Sequence, residues 1–206
     1  MKKYIIILFC CFLLLPLMAQ QMSEEQAKKH ISQAAAKIKT MQCDFVQTKY
    51  LKMLNDKVVS SGKMYYQQSD KLRWEYVSPY KYTFILNGSK VSLKNSKRND
   101  VIDVNQNKVF KEIARIMMSS VVGDCLNDSR SFKVSIADAK TEWLATLTPQ
   151  RKEMKQMFQS IVLHFNKQRS MVSKVELVEK NGDKTIIELK NVKTNVSIAP
   201  SIFSIN

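Results

Sequence analysis

From Leu72 the chain alternates strictly: Leu72, Trp74 and Tyr76 point one way, Arg73 and Glu75 the other. A period of two marks a β-strand with one buried face, because successive side chains leave a pleated backbone on opposite sides. Segments rich in strand formers recur along most of the sequence, at 45–53, 58–67, 72–77, 82–86 and 90–93, then at 132–136, 143–148, 160–166, 172–179 and 184–190, with a last short one at 202–205. Asn55-Asp56, Ser69-Asp70 and Pro79 punctuate the first series, and Asn87-Gly88 and Asn181-Gly182 are two-residue hairpin signals. Strands joined this tightly pair with their sequence neighbours, so the pattern predicts an antiparallel meander in two parts.

Two stretches break the strand pattern. Ser23 and Gln26 have capping-box spacing, Glu24 and Glu25 suit the positive end of a helix dipole, and Ala27, Ile31, Ala34, Ala35 and Ile38 recur at helical spacing. Residues 23–39 are therefore expected to be an amphipathic helix. In the middle, Val109, Ile113, Ile116, Met117 and Val121 fall near one helical face before Gly123, which predicts a second helix over 106–121. The class is thus α+β. About ten strands in one open sheet tend to curl, here around two helices. The concave face is then either filled by the helices as core or left as a cavity that they line, and the pattern alone does not choose. No repeat or linker divides the chain, so one domain is expected over 20–206.

The first nineteen residues decide the compartment. Lys2 and Lys3 precede an apolar run from Tyr4 to Met18, and Ala19 offers a small residue for cleavage. That is the layout of a cleaved signal peptide over 1–19, since the run is shorter than the roughly 20 residues needed to span a bilayer. The expected location is the periplasm. Loss of Lys2 and Lys3 lowers the net charge from +15 to +13. So strong an excess favours anionic partners. An exported protein meets little nucleic acid, which leaves membrane surfaces and acidic proteins, and Lys94, Lys97 and Arg98, with Arg151, Lys152 and Lys155, are the densest basic groups. Of the four cysteines only Cys43 and Cys125 lie beyond residue 19; their pairing is left open.

The catalytic inventory is thin. His30 and His164 are the two histidines, four glycines leave little for a phosphate cradle, and no nucleophile elbow or histidine-pair motif occurs. His164 alternates against Leu163 and Phe165 and is expected to face solvent. No catalytic residue, metal or cofactor is expected. The apolar inventory is richer: of eleven methionines, all but Met1 and Met18 remain after cleavage. Methionine adapts to irregular apolar ligands.

One stretch goes further. Leu72-Arg73-Trp74-Glu75-Tyr76, Ser78-Pro79 and Leu86-Asn87-Gly88 resemble the signature of the periplasmic outer-membrane lipoprotein carriers, the LolA-type family. Phe45-x-Gln47, Leu144-x-x-Leu147-x-Pro149, the hairpin around Asn181-Gly182 and Phe203 are similar to further family motifs in the same order. The resemblance implies a half-open antiparallel β-barrel with an N-terminal helix and a helical lid over a hydrophobic cavity. It implies a monomeric carrier that takes acylated lipoproteins from an inner-membrane releasing transporter to an outer-membrane acceptor or an anionic membrane surface. Carried onto this chain, it assigns Trp74 and Phe84 to the cavity, Leu72 to cargo and transporter contact, and Ile116 and Met117 to the lid; Tyr76 joins the expected lipid-contacting residues because it shares the parity of Leu72 and Trp74. Family members often place an arginine just before the proline of a strand turn, where it helps hold the lid shut; Gln68 stands there instead, which implies a weaker lock. A binding module that senses lipid without delivering it, and a non-catalytic envelope interaction protein, are the alternative readings.

Free diffusion of such cargo is ruled out by magnitude. Each buried methylene is worth about 0.8 kcal/mol, so one chain of roughly 14 costs on the order of 11 kcal/mol to expose to water.

Overall fold

The computed structural model describes residues 22–68, 70–106, 116, 118–119 and 123–205. The expected signal peptide and Met117 lie outside these. Eleven strands form one antiparallel sheet: β1 Thr40–Leu51, β2 Asp56–Gln67, β3 Lys71–Ser78, β4 Tyr82–Asn87, β5 Lys90–Asn95, β6 Asn99–Asp103, β7 Phe132–Asp138, β8 Glu142–Pro149, β9 Phe158–Asn166, β10 Met171–Glu179 and β11 Lys184–Thr194. Their spatial order is β6-β5-β4-β3-β2-β1-β11-β10-β9-β8-β7, so two meanders meet at the β1–β11 seam. Phe45 faces Leu189 across that seam, and Gly62 on the other side. β6 and β7 are the two edges; the sheet is not closed.

Helix α1 spans Glu24–Ala35, four residues short of the expected end. The capping box forms as its sequence requires, with Ser23 Oγ accepting from the Gln26 N–H and Gln26 Oε1 accepting from the Ser23 N–H. Ile31 and Ala27 of α1 bury into a core with Phe132, Trp143, Leu147, Leu163 and Phe165. A second core beside it gathers Met41, Phe45, Met64, Tyr66, Leu72, Trp74, Phe84 and Val91.

Three expectations need correction. β6 was not foreseen; Asn99, Asp100 and Asp103 carry weak strand propensity, and pairing with β5 overrides it. A short helix, α2 Lys152–Met157, was also missed; six residues are too few for a periodic pattern to declare itself. The strand expected at 202–205 is a 3₁₀ turn, Pro200–Phe203, because Pro200 has no N–H to give a ladder. It is held on the outer face instead: Arg73 Nη1 donates to the Ile202 carbonyl at 3.3 Å and Asn87 Nδ2 to the Phe203 carbonyl at 3.1 Å.

The connection from β6 to β7 leaves one edge of the sheet and rejoins at the other. Its described residues lie on the inner side: Val104 and Met118 pack with the second core, and Ile116, Cys125 and Leu126 with the first. Of the helix expected over 106–121, Gln106, Ile116, Met118 and Ser119 are described; Gln106 lies in a turn after β6, and the other three are helical.

Candidate apolar-ligand site

The inner face holds a cavity of about 280 Å³. Trp74 and Tyr76 line it from β3, Val172, Val175 and Leu177 from β10, and Ile187 and Leu189 from β11. Ile161 and Phe158 come from β9, Met154 and Met157 from α2, Gln47 from β1 and Ile116 from the β6–β7 connection. β3 and β9 are five strand spacings apart, about 24 Å in a flat sheet. That residues from both bound one small space is a direct consequence of curling.

Each wall follows from alternation. Val175 and Leu177, and Ile187 and Leu189, are two apart, so each pair shares a face, and their strands are in register with Val175 opposite Ile187. Phe45 stands behind Trp74 and Tyr76, with ring centroids 4.4 Å and 5.2 Å away. Gly62 makes room for it: a Cβ there would lie 1.9 Å from the Glu75 carbonyl oxygen and 2.6 Å from the Phe45 ring. The one amide in the lining is satisfied, since the Tyr76 hydroxyl donates to Gln47 Oε1 at 2.9 Å. Burial pushes the Tyr76 hydroxyl pKa up, against its side-chain hydrogen bonds, so the group stays neutral. Toward the strand ends the same face turns polar, where Lys49 pairs with Glu179 at 2.8 Å and with Asp183 at 3.8 Å. Met157 is partly exposed and sits at this rim, its carbonyl accepting from the Lys180 N–H.

Of the residues singled out in the sequence, Trp74, Tyr76 and Ile116 line the cavity. Leu72 and Phe84 are buried in the core beside it, Phe84 directly opposite Trp74 on β4. Gln68 is exposed at the β2–β3 turn, at the end of the strands away from Met157, and its N–H donates to the Lys39 carbonyl at 2.8 Å. The wall from β9, β10, β11 and α2 was missed. For β10 and β11 alternation was available as a signal; for Met154 and Met157 only their residue type was.

Polar groups cluster elsewhere. His164 is on the outer face, but it is buried rather than solvated: Nδ1 lies 3.1 Å from Glu142 and Nε2 3.0 Å from Glu176. Burial raises the Glu176 pKa, yet hydrogen bonds from Lys184 and Lys174 outweigh it and hold the carboxyl at about 2. Cys43 and Cys125 are buried and not joined in a disulfide, and burial, then Asp44, pushes the Cys43 thiol up to about 12. Among the described residues no group of acidic, histidine or cysteine side chains is placed to hold a metal.

The architecture is that of a half-barrel with an apolar interior. Residues 36–206 match the family described as outer membrane lipoprotein carrier protein LolA, and the chain belongs to that family. It is 24% identical over 165 residues to an outer-membrane lipoprotein carrier protein of Methylococcus capsulatus, covering 80% of this chain and 76% of that one. A protein of the same name from Legionella pneumophila is 25% identical over 170 residues, 82% and 80% of the two chains. Among solved structures, an uncharacterized conserved protein from Thermus thermophilus superimposes with a TM-score of 0.54 at 9% identity, over 86% of this chain and 93% of that one, a likeness of fold.

Proposed function

We propose that this protein carries lipoproteins through the periplasm, sheltering their acyl chains in the cavity on its concave face. It takes them from an inner-membrane releasing transporter and gives them up at the outer membrane, to an acceptor or to an anionic membrane surface. The observation that carries this reading is the lining itself: aliphatic, methionine and aromatic side chains, with one amide already bonded to a neutral tyrosine. Such a surface binds hydrocarbon and offers no proton donor, base or nucleophile poised for chemistry, which supports a carrier rather than an enzyme.

Size adds a condition. Pockets that bury a drug-sized ligand run from about 300 Å³ upward, so a cavity of about 280 Å³ holds part of one chain. Loading therefore requires the walls to move apart. The methionines at 154 and 157, and the open edges of the sheet, permit this without breaking strand pairs.

Mass spectrometry of the protein purified from its native envelope is the test. Co-purified acylated peptides are expected. Leu177→Glu puts a charge into the cavity from a side chain that is only half-buried; it should abolish co-purification while the circular dichroism spectrum is kept. Recovery of the same acylated species with Leu177→Glu refutes the assigned cavity. Transfer of cargo from the loaded protein to outer-membrane vesicles separates delivery from sensing, since a sensor retains it.

A further inference from the structure

We infer that the strand ends around the cavity rim form a docking face for an anionic lipid bilayer, with the tip of the β1–β2 hairpin as its inserting point. This rests on the carrier reading and names the surface that the carrier works against.

The hairpin overhangs its neighbour. β3 ends at Ser78, which pairs with Ser61, so residues 56–60 of β2 run on past it. At ~3.4 Å per residue that is about 17 Å of strand with one edge free. At the apex a 3₁₀ turn, Lys52–Leu54, leaves Met53 91% and Leu54 71% exposed. Val58 and Val59 point to opposite faces of the hairpin and both are exposed, so neither face of the overhang is packed. The tip is nevertheless fixed in place, because the Lys52 N–H donates to Asp183 Oδ1 at 3.0 Å.

Single exposed apolar residues are ordinary; a contiguous patch is not. Ten large hydrophobic residues are exposed among the described residues. Eight sit at this one end of the strands: five on the β1–β2 hairpin, with Val77, Tyr80 and Met157 on neighbouring elements. Cations share the same end. Lys52 and Lys57 flank the tip, and Lys152 and Lys155 belong to α2 beside Met157. The pairing of Tyr82 with Asn95 brings Lys97 and Arg98 to this end as well. An apolar apex around which lysine and arginine outnumber the carboxylates Asp56, Asp100 and Glu153 matches an anionic membrane interface: the apex enters the boundary between headgroups and acyl chains, and the cations stay with the phosphates. Docked this way, the rim at Met157 meets the bilayer, and an acyl chain moves between cavity and membrane without crossing water.

The test uses the processed protein recovered from the periplasm, with cosedimentation on phosphatidylethanolamine–phosphatidylglycerol vesicles and on phosphatidylcholine vesicles. Binding to the anionic vesicles is expected, at least tenfold weaker in high salt or with phosphatidylcholine. Met53→Asp combined with Leu54→Asp should reduce it at least tenfold, and Leu54→Trp should show blue-shifted emission on anionic vesicles. Both variants should load an acylated peptide as the parent does, because neither residue lines the cavity. Unchanged sedimentation of the double variant, or an unmoved Trp emission, overturns the inference. So does a double variant that binds vesicles normally but loads poorly from transporter-containing membranes, which makes the occupant a protein. A parent that binds vesicles yet takes up no acylated peptide overturns the carrier reading and leaves the docking face standing.

Discussion

Gly62 has no side chain, and Phe45 occupies the space above it. Gly62→Ala sets a methyl group against both the Glu75 carbonyl and the Phe45 ring. Overpacking of this kind costs about 1–3 kcal/mol, or a fall of about 2–12 °C in Tm for a chain of this size, measurable by calorimetry. Displacement of Phe45 should also move Trp74, so the indole emission should change with it. On the outer face Glu176 gives a pH dependence of known sign. Its carboxyl is held at about 2, below its ordinary value of 4.5. The stabilisation is therefore fully present above pH 4.5 and is lost as the pH falls toward 2. Between about pH 7 and about pH 3 the loss is on the order of 2 kcal/mol. Urea unfolding at the two pH values should show it, and Glu176→Gln should shrink the difference. Cys43, held at about 12, should resist alkylation in the native protein at about pH 8 and react only on unfolding.

The 3₁₀ turn Pro200–Phe203 shows what an element can do without joining the sheet. Phe203 is fully buried on the outer face, where Arg73 and Asn87 bond the backbone around it. Phe203→Ala should cost about 3–5 kcal/mol in urea unfolding and leave the stoichiometry of bound acyl chains unaltered, because Phe203 does not line the cavity. The sequence disclosed elements whose signals are local. Strands β2 to β5 and β7 to β11 could be read from alternation and from the Asn-Gly turns, and α1 from its capping box. It did not disclose what depends on remote partners. Asn99–Asp103 becomes a strand only because β5 offers an edge, and Ile202–Ile205 fails to become one because of Pro200. The cavity was legible on one wall alone. Trp74 and Tyr76 announce a face by strict alternation, whereas the opposite wall needs the curl that brings β9 and β10 round to meet them. Likewise, alternation placed His164 outward, but nothing local revealed that Glu142 and Glu176 would cover it.

At the scale of the whole molecule, an interior that binds hydrocarbon couples occupancy to stability. A ligand at one hundred times its Kd adds about 2.7 kcal/mol, worth about 5–11 °C in Tm for a chain of this size. Delipidated protein should melt lower than freshly purified protein by that order, and readdition of an acylated peptide should restore the difference. The seam carries a consequence of another kind. In most meanders the last strand to be synthesised adds to an edge. Here β11, which ends at Thr194, pairs with β1 from Thr40 at the middle of the sheet. Until it emerges, β1 presents an unpaired edge and its meander has nothing to close against. Such long-range pairing is slow to form and exposes strand edges meanwhile. The protein is therefore committed to joining its halves late, because they stay apart until β11 is available to pair with β1. A chain cut before Lys184 loses the strand that joins the two meanders, and what remains is one polypeptide with two unjoined, edge-exposed half-sheets rather than a smaller carrier.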